Sequence, residues 1–338
     1  MHGPAHMELD FRTLDVFTEE TFGGNPLGVF PDAAHLPAEL MQKVAREMNL
    51  AETVFLGPPE TPEGTARVRI FTPEVEVPFA GHPTVGAAIY LASTQPVRRG
   101  AGVRRTGDGH AELVLEENVG LVPVTVEYRH GRPVFAQFTT AMLPERRESP
   151  HPPEQLAALV GLEADDLGGD HPRPLTPAMM SCGLPFHVIP VRTVGALGRA
   201  VLDVALWRDM LADTWAHHVY LVCPLFGGDV RVRMFAPGSG VPEDPATGSA
   251  AAVLGGCLGD ASRQLNGTLR WQVAQGEEMQ RPSLIRVEVD KAAGRITAVR
   301  VGGAATFVSR GTMTVPGSPI APPEGHRASW LKRYDGRF

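Results

Sequence analysis

Cysteine is scarce in this sequence. Of 338 residues only Cys182, Cys223 and Cys257 carry a thiol, and they stand far apart without a CxxC or other zinc-like spacing. That excludes a disulfide framework and gives no sign of a metal site; it points to a reducing compartment, and a cytoplasmic protein with no metal is expected. A long apolar run is missing as well. Residues Met1 to Met7 hold two histidines and a proline but no signal-peptide core, and no later stretch approaches bilayer length, so no membrane partner is expected. Nor is there an excess of basic charge: 31 Lys and Arg stand against 38 Asp and Glu, a net charge of -7, which gives no electrostatic reason to expect nucleic acid. The GxSxG elbow, the Walker loop and a GxGxxG after a strand are also missing. The Gly-rich stretch from Gly100 to Gly109 lacks the strand and helix that would make it a nucleotide loop, so hydrolase, NTPase and dehydrogenase readings are weak.

What the sequence does contain is an echo of itself. Arg69-Ile70-Phe71-Thr72-Pro73, followed by Val77-Pro78-Phe79-Ala80-Gly81-His82-Pro83-Thr84, returns as Arg233-Met234-Phe235-Ala236-Pro237, followed by Val241-Pro242-Glu243-Asp244-Pro245-Ala246-Thr247-Gly248-Ser249. The two prolines are five positions apart in both copies, and each copy runs on into a segment of small residues. Each has the grammar of a strand, a Pro/Gly-punctuated turn and a closely packed helix. The turn therefore ends at a helix N-terminus, where free N–H groups and a partial positive charge favour an anion.

A chain of 338 residues holds two domains of ordinary size, and the duplication supports two. We place the first at residues 8–143, the second at 175–316, and between them a Pro/Glu/Arg-rich linker with a short helix at 144–174; the late strands are allowed to pair back with the first domain. In the first half the patterns predict a hairpin from Leu14–Phe17 to Leu27–Phe30, an amphipathic helix over 37–48, strands over 51–56 and 67–71, a helix from Gly81 to about Ala92, and three strands between 109 and 138. In the second they predict strands over 186–191 and 219–222, a helix over Leu206 to Ala216, the small-residue helix after Gly248, and strands over 269–274, 284–289, 295–301 and 306–315. Sliding the halves over each other sets Glu52 on His217 and His82 on the Asp244 region. Two sheets, each wrapped about a small-residue helix, are expected.

Several polar residues near these turns have a bland reading beside a functional one. Glu52, at the start of a strand, reads alone as an exposed strand-end carboxylate. His82, between Gly81 and Pro83, is a packed or capping histidine or a site residue; at a helix N-terminus it is discouraged from charging. Asp244 is a candidate N-cap for the second helix, and Ser249 a small packing residue. Gly248 beside Ser249 is more suggestive, because glycine lets a ligand approach the backbone and serine adds a hydroxyl donor. Glu243 is a second carboxylate that alternation turns the other way. Neither turn contains cysteine, so a two-thiol racemase mechanism there lacks its reactants.

Asp15-Val16-Phe17, Gly24-Asn25-Pro26, Glu52-Thr53-Val54-Phe55, Phe71-Thr72-Pro73, Gly81-His82-Pro83-Thr84, the Arg233 and Glu243–Ala250 strings, Gln275-Gly276 and Arg281-Pro282-Ser283, taken in order, resemble the phenazine-biosynthesis-like (PhzF) isomerase family. The resemblance implies an α+β fold of two pseudo-symmetric diaminopimelate-epimerase-like domains, each a β-barrel-like sheet around a central helix, with the active site in the cleft between them. It implies isomerisation or epimerisation by carbon-bound proton transfer on a small carboxylated substrate, without cofactor. By motif match Glu52 is the general acid/base, His82 and Asp244 its polar partners, and Gly81, Gly248 and Ser249 the substrate-holding positions. A partly apolar cleft beside Val54 and Phe55 would raise the affinity of such a base for its proton. Family members are often dimers, so a homodimer is expected. Two other readings stay open: a catalytically silent ligand-binding or interaction protein on the same scaffold, and a thiol-dependent racemase that brings Cys182 or Cys257 to the cleft.

Overall fold

A helix that is apolar on every side must be covered on every side, and two such helices organise this chain. The computed structural model describes residues 6–94, 104–107, 109–169 and 175–317. Its first half runs through β1 (His6–Val16), β2 (Asn25–Phe30), α1 (Ala38–Met48), β3 (Glu52–Gly57), β4 (Ala66–Phe71), the short β5 (Glu76–Val77), α2 (Gly81–Thr94), β6 (Arg104–Gly107), β7 (His110–Glu117), β8 (Gly120–Arg129) and β9 (Arg132–Thr139). The second half runs through β10 (Glu145–Glu148), α3 (Pro153–Leu159), β11 (Ala178–Ser181), β12 (Pro185–Pro190), α4 (Val194–Arg199), α5 (Val204–Met210), β13 (His218–Pro224), β14 (Val230–Ala236), β15 (Val241–Asp244), α6 (Gly248–Ala261), β16 (Gly267–Gln275), β17 (Ser283–Ala292), β18 (Arg295–Gly303) and β19 (Ala305–Pro316). No helix among the described residues is long and apolar enough to cross a membrane.

The described residues form two compact units, the first within Met1–Phe22, Pro26–Phe138 and Gly303–Phe338, the second within Gly23–Asn25 and Thr139–Gly302. In the first, β2 and β3 are parallel with Leu27 opposite Glu52, β3 and β4 are antiparallel with Thr53 opposite Phe71, and β4 lies parallel to β7. In the second, β12 and β13 are parallel with Phe186 opposite His218, β13 and β14 are antiparallel with Val219 opposite Phe235, and β14 lies parallel to β16. The connectivity is the same, so the internal echo is a structural duplication. Both units are completed alike: β19 pairs with β1 in the first as β10 pairs with β11 in the second. The last described strand therefore belongs to the first unit.

The paired strands are buried on both faces. In the first unit Phe30, Phe55 and Phe71 pack under α1 through Met41 and Val44, while the opposite face meets α2. That approach is close enough that a Cβ on Gly86 would lie 2.4 Å from Leu27 and 2.9 Å from Val16, which is why small residues fill the helix. In the second unit Val219, Leu221 and Cys223 face α3, α4 and α5; on the other side a Cβ on Gly255 of α6 would lie 2.7 Å from Val287.

The structure changes several expectations. The 144–174 segment is no linker over its described part: β10 pairs with β11, and Leu156, Leu159 and Val160 are fully buried in the second unit's core; residues 170–174 lie outside the described residues. The helix predicted over Leu206 to Ala216 ends at Met210, and α4 precedes it. The matching ladders set Glu52 on His218, one residue past the His217 of the sequence alignment. The two central helices begin at Gly81 and Gly248, which sets His82 on Ser249 rather than on Asp244. A 3-10 turn at Pro237–Ser239 accounts for the second shift: Phe71 matches Phe235, and from Glu76 and Glu243 onward the second copy has run on by three residues, while the first shift comes from a β13–β14 connection two residues shorter than that of β3 and β4. The equal proline spacing is coincidental.

Candidate functional site

In the first unit, Glu52 opens β3 on the face toward α2, and His82 stands in the first turn of that helix. The Glu52 Oε2 atom lies 3.4 Å from His82 Nε2; the imidazole side chain is 5% exposed and the carboxylate side chain 20%. Burial pushes the His82 pKa down to about 3, against the opposing pull of a hydrogen bond with the Pro26 backbone. The histidine is therefore neutral near pH 7, and the pair is not an ion pair. Proline offers only a carbonyl, so the ring nitrogen that meets it carries the hydrogen. Nε2 makes no hydrogen bond among the described residues; it presents its lone pair toward the Glu52 carboxyl. This is a neutral acceptor beside a partly open carboxyl group, an arrangement suited to holding and releasing one proton.

In the second unit, Asp244 ends β15 and is buried. Its Oδ2 accepts a 2.5 Å hydrogen bond from Thr247 Oγ1 and its Oδ1 a 2.8 Å bond from Asn25 Nδ2, which also donates to the Ala246 carbonyl. Burial pushes the Asp244 pKa up to about 6; the bonds from Thr247 and Asn25 oppose this and Glu243 adds to it. Asp244 is not the N-cap of α6. That position is Thr247, whose side chain makes no capping bond because its hydroxyl is turned to Asp244. Gly248 and Ser249 follow as the first residues of α6, so the N–H groups of its opening turn have no side-chain cap.

Residues quoted only as motif letters in the sequence turn out to build this turn. Gln275 donates from Nε2 to the Asp244 carbonyl at 2.7 Å and accepts from the Thr247 amide at 3.1 Å. Ser283 Oγ lies 2.8 Å from both the Pro245 and Gln275 carbonyls. Arg281 donates to the Gly23 and Gly24 carbonyls, fixing the loop that carries Asn25. Gly276 has φ +82°, and a Cβ there would stand 2.4 Å from the Arg281 carbonyl oxygen. Strand alternation turns Glu243 away from Asp244, and its partner is Arg233, in a two-pronged pair at 2.8 and 2.9 Å. Arg69 grips Glu76 the same way in the first unit. The arginines that announce both copies are thus structural clamps.

The sequence reading overlooked His218. It takes in β13 the place that Glu52 takes in β3, is almost wholly buried, and has its Nε2 3.1 Å from Ser239 Oγ of the inserted turn. Burial pushes its pKa down to about 4, helped by His217 and opposed by the Pro185 carbonyl. Nothing short of the strand register would have found it.

The thiols do not suit a racemase. Cys257 lies within the body of α6 beside Met180, and burial pushes both it and Cys182 up to about 12. Cys223 is buried in the other core and shifted upward as well.

The model of the family described as phenazine biosynthesis-like protein matches residues 14–311. A Mesorhizobium japonicum protein named only as an uncharacterized isomerase is 40% identical, over 90% of this chain and 99% of its own. The trans-2,3-dihydro-3-hydroxyanthranilate isomerase of Pseudomonas aeruginosa is 35% identical, over 87% of this chain and 95% of its own. Among solved structures, a Bacillus anthracis phenazine biosynthesis protein of the PhzF family superposes with a TM-score of 0.78 at 24% identity, covering 91% of this chain and 99% of that one. A hydroxyproline epimerase from Agrobacterium vitis shares the fold at 12% identity and a TM-score of 0.58, covering 92% of this chain and 93% of that one.

Proposed function

From the premise that this chain belongs to the phenazine biosynthesis-like protein family and is an isomerase, we propose that it moves a carbon-bound proton on a small carboxylated metabolite, with Glu52 as the general acid and base and no cofactor. The observation that carries this reading is the Glu52–His82 pair, 3.4 Å apart, with the imidazole neutral and its lone pair free for one proton.

The ionised Glu52 carboxylate takes a proton from a carbon acidified by the substrate's unsaturation or carboxylate, and the electron pair left behind spreads into that conjugated system. The Glu52 hydroxyl so formed has His82 Nε2 as its hydrogen-bond acceptor. Glu52, whose acquired proton exchanges with solvent, then delivers a proton to a different carbon, or to the other face of the first, and is regenerated with no net gain or loss of protons. Within the first unit, the N–H groups that open α2 at Gly81 are donors for the substrate carboxylate and for charge that develops during transfer; in the second unit the N–H groups that open α6 at Gly248 and Ser249 are an uncapped donor set of the same kind. Asp244 acts on the α6 end, where its bond to Thr247 keeps that threonine from capping the helix. The P. aeruginosa relative acts on a compound with both a carboxylate and a ring diene, which fits this chemistry, but the proposal for this chain extends only to a carboxylated substrate.

The test is Glu52→Gln, which keeps the shape and removes the base. Wild type and variant are incubated in heavy water with a pool of small carboxylic acids, and mass spectrometry searches for compounds labelled by wild type. A loss of labelling of about a hundredfold or more is expected for the variant; labelling at the wild-type rate would remove Glu52 from the mechanism.

A further inference from the structure

A buried carboxyl group outside this proton-transfer pair touches the same helix turn. Glu117, the last residue of β7, is 4% exposed. Its Oε1 lies 2.7 Å from Thr84 Oγ1, and the same Thr84 oxygen lies 2.7 Å from the Ala80 carbonyl oxygen. Both distances are those of full O–H···O hydrogen bonds. A threonine hydroxyl has a single proton, while a carbonyl and an ionised carboxylate can only accept. With Glu117 ionised, one of these two approaches would set lone pair against lone pair. With Glu117 protonated, both are satisfied: its O–H donates to Thr84 Oγ1, and the Thr84 O–H donates to the Ala80 carbonyl.

We propose that Glu117 is held as a neutral acid that positions the first turn of α2 through Thr84, and with it His82 beside Glu52. The inference rests on the proton-transfer reading for its effect on turnover and on the structure alone for its effect on the turn. Ala80, Gly81, His82 and Thr84 form one continuous turn, whose Thr84 amide also donates to the Ala80 carbonyl at 3.2 Å. Ionising Glu117 pulls the threonine proton away from Ala80 and slackens the turn that carries His82.

The surroundings favour the neutral form. Burial pushes the Glu117 pKa up to about 8, opposed by the Thr84 bond and by Arg67. Arg67 on β4 is the cation facing it, but its donors are engaged by the Glu116 carbonyl and the Asn118 side chain, and Glu60 stands 3.6 Å away. Glu60 and Glu116 line the same cleft as Glu117, and the Glu116 carboxylate accepts from the Glu60 and Thr61 amides. The second oxygen, Oε2, has no partner among the described residues.

The decisive comparison is wild type against Glu117→Gln, in which an amide keeps the donor to Thr84 and cannot ionise. Melting temperature, the amide NMR signals of Gly81, His82 and Thr84, and substrate labelling in heavy water are each followed from about pH 5 to about pH 9. In wild type the three amides are expected to shift with an apparent pKa near 8, the melting temperature to fall by several degrees relative to Glu117→Gln over that span, and turnover to drop about tenfold per unit beyond the transition. The glutamine variant is expected to keep turnover at pH 7 within about twofold and to lose all three alkaline changes; a purely space-filling role would leave its pH dependence like that of wild type. Thr84→Ser, which retains the relay hydroxyl, is expected to behave as wild type, whereas Thr84→Val loses the amide shifts at Gly81 and His82. Parallel melting curves, or amides that do not titrate, would overturn the proposal. If no labelled compound is found, the proton-transfer reading fails by itself, and the melting curves and amide signals still decide the role of Glu117.

Discussion

The duplicated arginine clamp supplies a controlled comparison, because one ion pair recurs in two degrees of burial. Arg233 and Glu243 have side chains 8% and 19% exposed, and Arg233 Nη1 also donates to the Leu197 and Ala200 carbonyls at 3.0 and 2.7 Å. Arg69 and Glu76 are 25% and 24% exposed, and their remaining partner is Asn118, which donates to Glu76 at 2.9 Å. Glu243→Ala strands a buried guanidinium that the carbonyls hold in place, so it cannot turn to water. Removing one partner of such a pair costs about 3 kcal/mol or more. Glu76→Ala frees an arginine already in reach of solvent, where pairs of this kind contribute about 1 kcal/mol or less. The expected difference is therefore about 2 kcal/mol, with Glu243→Ala the more damaging. Native-state hydrogen exchange reads it best, since protection in β13 and β14 reports one unit and protection in β3 and β4 the other. Equal losses, or a larger loss for Glu76→Ala, would show that burial does not set the worth of the clamp.

Two further substitutions bear on the Asp244 turn. Gly276→Ala places a methyl group 2.4 Å from the Arg281 carbonyl and 2.5 Å from the Pro245 carbonyl at φ +82°; backbone must move, a loss of about 3 kcal/mol is expected, and an unchanged melting temperature would refute the packing argument. Asp244→Asn tests the buried acid. With a folded pKa raised to about 6 from the usual 3.8, Asp244 binds more proton in the folded state than in the unfolded one, so its contribution is fully present below the lower value and is lost as pH rises through the upper, at most about 3 kcal/mol. The asparagine variant is expected to show a flatter melting profile than wild type between about pH 4 and pH 6.5, and parallel profiles would refute the raised value.

The large pattern was legible in the sequence for a physical reason. Helices made of Gly, Ala, Val and Leu on all sides and strands made of unbroken apolar runs leave one solution, a sheet around each helix, and the repeat says that it is built twice. Asp244, Gly248 and Ser249 were legible as neighbours because they share one turn. Glu52 and His82, thirty positions apart, were joined only by family resemblance, since no local pattern states which strand end faces which helix start. The duplication misled where it was read as letters: apolar strand letters set Glu52 on His217 and the matching turns set His82 on the Asp244 region, whereas the strand register moves the first to His218 and the helix starts move the second to Ser249. The 144–174 stretch looked like a linker because Pro, Glu and Arg dominate it, yet Leu156 and Leu159 of its short helix and Val160 after it are enough to anchor it in the core.

Where the two copies differ explains how one scaffold came to hold two kinds of turn. Arg69 with Glu76 and Arg233 with Glu243 preserve the clamp, so the three residues added between Arg233 and Glu243 had to bulge out as the Pro237–Ser239 turn without disturbing either end. That bulge brings Ser239 to His218, so the strand end that carries a carboxylate in the first copy carries an engaged imidazole in the second. At the helix start the exchange runs the other way: the first copy has a buried neutral histidine at His82, while the second has Ser249 and moves its ionisable group back to Asp244, locked by Asn25, Thr247 and Gln275. Of these four polar groups only Glu52 is both ionisable and open on one side, since His82, His218 and Asp244 are each at least nine-tenths buried and are shifted toward their neutral forms. In the proton-transfer reading proposed above, this difference is what favours Glu52 over its counterpart His218 as the group that charges and discharges.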